Sequence, residues 1–221
     1  MRIEARSERI TAGAPVWARL LLTVVVPAAM GVLLLLHPMG PFEIEGALDR
    51  WYVVHVPVIM LSPLLAAGGW LLLHEVPGRA AAIGRWALLP FLAFYVAWEA
   101  LAAIGTGWLV RAAGSMPSDA ADAAAPIVDQ WWEWVNAPHW LAVLGMGAWL
   151  AFGVSAAIAH RRAGARPAVV AALAIASLYA VMHGMIQGAV PLFAMAAAGW
   201  QLAWPSPLAT AEPSEDGPSQ P

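Results

Sequence analysis

Apolar residues fall into long unbroken tracts separated by short polar stretches rather than into a two- or 3.6-residue alternation over a solvated surface. The tracts run from Val16 to Leu36, Trp51 to Leu73, Trp86 to Val110, His139 to Ala159 and Pro167 to Trp204. At 1.5 Å per residue, each of the first four is long enough to cross a hydrocarbon core of about 30 Å as a helix. The fifth would be about 57 Å long as one helix, so it must break, and HGMIQGAVP, with Gly184, Gly188 and Pro191, is the predicted place. The pattern therefore predicts an all-α polytopic transmembrane bundle of five or six spans. The tract at 16–36 is too long for a signal-peptide core and has no small-x-small site before HPMGP, so it reads as a retained span, kinked at Pro27.

Between the tracts, residues 1–15 form a basic cytoplasmic segment carrying Arg2, Arg6 and Arg9. The longest connection, Arg111 to Pro138, begins Ala/Asp-rich and is predicted irregular there. Its second half, IVDQWWEWVN, places Ile127, Trp131 and Trp134 on one helical side with Asp129, Glu133 and Asn136 opposite. A Trp-rich helix near 127–136 lies in the membrane interface on this reading, with a lid over a site as the alternative. Residues 16–204 are the bundle. Residues 205–221, rich in proline and acid and without an apolar run, read as a disordered tail.

Composition agrees: 61% of residues are hydrophobic and 11% charged, against about 25% charged in soluble domains. There is no cysteine and every basic residue is arginine, which excludes disulfides, thiolate metal sites, c-type haem attachment and lysine Schiff bases. The arginines cluster before the first tract and in the turns holding Arg79 and Arg85, and Arg161, Arg162 and Arg166. The positive-inside rule makes these ends cytoplasmic, in a multi-pass protein of a bacterial inner (plasma) membrane. The lipid bilayer is the one partner implied, and no basic patch suits nucleic acid.

One residue breaks the apolar pattern most sharply. Glu99 sits mid-tract, where an ionisable group costs a few kcal/mol unless it faces a polar interior. Tyr95, Ala102, Ala103 and Thr106 share its helical face. Depths of about 20 Å for Glu99 and 24 Å for His183 along their spans put them near the level of His37, His55 and His139. His74 and His160 fall at the opposite boundary, beside arginines, where they would snorkel. Four imidazoles at one level above a carboxylate suit haem b or a transition metal, with His55 and His183 as cofactor ligands and His37, His139 and Glu99 as further metal ligands. No HExxH or paired Glu-x-x-His supports this, so it rests on depth alone. A proton-coupled small-solute transporter using Glu99 is the alternative, as is a non-catalytic accessory or assembly protein in which these groups specify packing. No intramembrane serine has a nucleophile context.

The combination HPMG, WYVVHVPVIM and GRAAAIGRWALLPFLAFYVAWEALAAIGTGWLV, with a last apolar pair hinged after a histidine, resembles an uncharacterised family of small polytopic membrane proteins from high-GC bacteria. The resemblance implies six spans and brings no assigned activity with it.

Overall fold

The computed structural model describes residues 14–38, 46–137, 139–182 and 185–203. His183, Gly184, the arginines before Ala14 and the tail from 205 lie outside these residues. The described chain is helical throughout, with no strand. Its helices are α1 (Val16–Leu35), α2 (Leu48–His74), α3 (Arg79–Gly114), α4 (Ser118–Asn136), α5 (Trp140–Arg162), α6 (Pro167–Ala176) and α7 (Met185–Ala203). Four stretches of the described residues are long and apolar enough to cross a membrane: α1, α2, α3 and the run Ser118–Arg162 that contains α4 and α5.

Close approaches at glycines give the helix directions. A Cβ at Gly68 of α2 would lie 2.2 Å from the Leu22 carbonyl oxygen of α1, and one at Gly145 of α5 would lie 2.5 Å from the Tyr95 backbone nitrogen of α3. Gly153 of α5 abuts Ser177 just past α6, and Gly199 of α7 abuts Thr23 of α1. Together with Gly31 of α1 against Phe193, Gly84 of α3 against Leu73, and the packing of α6 on α7, these contacts make α1, α2, α3, α5, α6 and α7 an alternating up-and-down ring. Small residues at the crossings let backbones approach closely, which is how helices associate when lipid removes the hydrophobic drive between them. One end of the ring carries Arg19, Glu75, Arg85 and His160; the other carries His37, Trp51, Glu99 and α4. They are termed the Arg19 end and the Glu99 end.

Proline and crowding leave their mark on the helical register. Residues Leu21–Val25 of α1, and Phe91–Tyr95 and Ala100–Gly105 of α3, are wound as π-helix. In α1 the Val26 N–H reaches back to the Leu21 carbonyl, just before Pro27, where the missing N–H disturbs the α-helical ladder. The predicted kink at Pro27 is thus a widened turn within a continuous helix.

Two expectations differ from the fold. The Ala/Asp-rich half of the Arg111 to Pro138 connection is helical: α3 continues to Gly114, and α4 starts at Ser118 after the turn at Ser115 to Pro117. Alanine is the strongest helix former, and Asp119 in the first turn suits the helix dipole. The break in the last tract begins earlier than predicted. Hydrogen bonds turn tight over residues 177–182, whereas Gly188 and Pro191 sit inside α7. Pro191, the seventh residue of α7, forgoes the hydrogen bond to the Gln187 carbonyl without ending the helix.

Candidate functional site

Glu99 is the last residue of a four-residue α-helical stretch, Val96–Glu99, held between the two π-helical segments of α3. π-helical turns recur at functional sites because the inserted residue re-aims its neighbours at an energetic cost that an ordinary helix avoids. The result here is a carboxylate directed inward and closed off from the surroundings, with Tyr95, Ala103 and Thr106 of its face also buried.

From α2, His55 meets it. His55 Nε2 lies 3.9 Å from Glu99 Oε1, and the two side chains are 3% and 2% exposed. The opposite nitrogen, Nδ1, is 2.8 Å from the Trp51 carbonyl oxygen one turn back. Since a carbonyl only accepts, Nδ1 carries the hydrogen, and in the neutral ring Nε2 presents its lone pair toward Glu99. Trp51 is itself fixed, its Nε1–H donating to the Ala103 carbonyl of α3 at 2.7 Å. This bond ties α2 to α3 at the level of the pair.

His37, just past α1, completes a ring cluster. Its centroid lies 4.7 Å from that of His55 and 5.4 Å from that of Trp51, both edge-on. Its Nδ1 donates to the Pro38 carbonyl at 2.6 Å, so its tautomer is held in the same way. Below Glu99, the hydroxyls of Tyr95 and Tyr179 are 3.5 Å apart and both residues are fully buried. Tyr179 comes from the turn after α6, so the polar cluster draws on four separate segments.

Helix α4 covers this end. Trp98 Nε1 donates to the Val135 carbonyl at 2.9 Å, Trp131 Nε1 to Thr106 Oγ1 at 3.2 Å, and the Trp132 ring packs on Trp51. The tryptophans of 127–136 therefore divide. Trp131, Trp132 and Val135 close over the cluster, while Ile127 and Trp134 stay exposed along a groove of about 540 Å³ between α3 and α4. These contacts make α4 a cover over the cluster.

The remaining predicted residues fall elsewhere. His139 caps α5, its Nδ1 accepting from the Leu141 N–H at 3.4 Å while its ring stacks near Trp134 and Trp140. None of its described contacts is to His37, His55 or Glu99. His183 lies outside the described residues. His74 is exposed at the Arg19 end as expected, but His160 is not snorkelling: it is 6% exposed and its Nε2 donates to the Leu72 carbonyl at 2.9 Å. The helix-end carbonyls of α2, which have no intrahelical donor, draw it inward. Trp51, one helical turn before His55, is the site residue that the sequence does not single out, whereas Trp98, beside Glu99, serves packing through its bond to Val135.

Among the described residues, no group of three or more His, Asp or Glu is placed to hold a metal ion. Compared with family models, with curated proteins and with solved structures, the chain finds no match.

Proposed function

We propose that the chain is a six-span protein of a bacterial plasma membrane, with the Arg19 end cytoplasmic, and that the His55–Glu99 pair carries a proton in coupled transport of a small solute. The observation that carries this reading is a carboxyl group and an imidazole lone pair facing each other at 3.9 Å, both almost wholly buried in an apolar bundle. Intramembrane ionisable pairs of this kind are expensive, and their common use is proton movement. Orientation follows from charge. Arg19, Arg79, Arg85, Arg161, Arg162 and Arg166 lie at one end with Glu75, while Asp49, Asp119, Asp122, Asp129 and Glu133 lie at the other with Arg50 and Arg111, an excess of basic charge at the first.

Chemically, a protonated Glu99 gives its proton to His55 Nε2, leaving a carboxylate beside an imidazolium; the reverse step restores the neutral pair. At 3.9 Å the step requires one bridging water or an approach of about 1 Å. The π-helical turns on either side of Glu99 are the segments of α3 able to yield by that amount. In proteoliposomes, a solute panel is expected to contain a compound whose addition drives proton entry, with Glu99→Gln and His55→Asn abolishing that entry while the proteins stay folded. Undiminished proton entry in Glu99→Gln refutes the assignment.

A second reading has one specific observation behind it. Both His37 and His55 hold Nδ1–H on backbone carbonyls, the arrangement that orients ligating imidazoles through Nε2. On that reading His37 and His55 hold haem b or a transition metal, and Glu99, which is not placed with them as a three-residue metal site in this conformation, joins only after a rearrangement. Elemental analysis and an absorption spectrum of detergent-purified protein decide it: stoichiometric metal or a Soret band lost in His55→Ala supports this alternative, and an empty protein from metal- and haem-replete cells removes it.

A further inference from the structure

A second polar site lies at the opposite end of the bundle. A pocket of about 140 Å³ opens among Arg19 and Thr23 of α1, Leu72 and Glu75 at the end of α2, His160 of α5 and Leu202 of α7. Four helices thus converge on it. Arg19 and Glu75 form an ion pair that joins α1 to the end of α2, and Arg19 also donates through Nε to the Ala14 carbonyl at 3.1 Å. Thr23 is 4% exposed and lies within the π-helical segment Leu21–Val25. Its hydroxyl donates to the Arg19 carbonyl at 2.8 Å. The described π-helical segments are therefore confined to the two polar sites: two flank Glu99, and the third carries Thr23.

We infer that this pocket is the water-filled port through which the bundle exchanges protons with the Arg19 side, that His160 is its proton-accepting group, and that the Arg19–Glu75 pair is its latch. A space of about 140 Å³ is large enough to hold a small cluster of water molecules. Its walls supply both donors and acceptors, as a bound water cluster requires. With Nε2–H committed to Leu72, the nitrogen of neutral His160 able to take a proton is Nδ1; it gains one from pocket water to become imidazolium and returns it to water. Between port and pair lie Leu65, Phe91, Trp149 and Phe152, all fully or almost fully buried, so the two ends do not communicate in this conformation. Passage requires the helices to shift, and the three π-helical turns stand where that shift would begin. The role of the port rests on the proton-transport reading, whereas its access to water does not.

The chain has no native cysteine, which leaves a silent background for a thiol test. Thr23→Cys and, as a sealed comparison, Leu65→Cys are reconstituted in oriented vesicles and treated from each side with a membrane-impermeant methanethiosulfonate cation. Thr23→Cys is expected to react at least tenfold faster than Leu65→Cys, from the Arg19 side alone, and severalfold faster again with Glu75→Gln added. Equal rates at the two positions overturn the port, even if Glu99→Gln has already abolished transport. A rate indifferent to Glu75→Gln overturns the latch. His160→Gln, which keeps an N–H donor for Leu72 but cannot titrate, is expected to reduce solute-driven proton flux at least tenfold at unchanged thermal stability. Full flux in that variant overturns the proton role of His160 while leaving the Glu99 assignment standing.

Discussion

Gly145→Ala is the most direct test of how α3 and α5 hold the site together. A Cβ at that position would lie 2.5 Å from the Tyr95 nitrogen, 2.6 Å from its Cα and 2.7 Å from its Cβ. Ordinary contact begins near 3.4 Å, so α5 must withdraw by about 0.9 Å, and the obstructing atoms are backbone that cannot rotate aside. Overpacking of this size costs about 1–3 kcal/mol, which is roughly a 5- to 150-fold rise in the unfolding equilibrium constant at 25 °C. Gly147, two residues on in the same helix, has nothing within 4 Å of a built Cβ. Gly147→Ala is therefore expected to be neutral or to stabilise by up to about 1 kcal/mol through helix propensity. Reversible denaturation of the detergent-solubilised protein, followed by tryptophan fluorescence, measures both. If the two alanine variants unfold alike, the close approach of α5 to the Tyr95 backbone is wrong.

Other outcomes follow from single contacts. Trp98→Phe removes the bond to the Val135 carbonyl and should speed amide exchange over the last two turns of α4 severalfold while leaving α5 protected; unchanged exchange would show that α4 is held by other means. Trp51→Phe removes the indole donor to the Ala103 carbonyl, which keeps the Thr106 N–H, a loss of about 0.5–1.5 kcal/mol in the same denaturation assay. Arg19→Ala should cost no more than about 1 kcal/mol, because its ion pair with Glu75 is partly exposed, the side chains being 35% and 63% accessible. A larger loss would mean that the pair is structural rather than a latch.

Much of the architecture is written in the chain. The length and apolarity of 16–36, 51–73 and 86–110 require helices that could cross a membrane, because no other local structure satisfies every backbone group without water. Glu99 had to face inward for the same reason, and it does. The asymmetry of the arginines separates the two ends without reference to any contact. These features are local: each depends on the composition or spacing of one segment.

What tertiary structure alone decided depends on how segments meet. Depth placed His37, His55 and His139 at one level, but depth says nothing about azimuth, and the packing of α1 against α2 brings His37 to His55 while His139 is spent capping α5. The fate of α4 is similar. Its amphipathic pattern favours an interfacial helix over a lid, and only the bond from Trp98, which an isolated helix does not contain, shows that it also covers the cluster. His160 looked like a boundary residue because arginines follow it in sequence, yet the open carbonyls at the end of α2, 88 residues away, draw it into the bundle. A single segment can state how costly its polar groups are to bury; only the neighbouring helices determine which partners those groups then find.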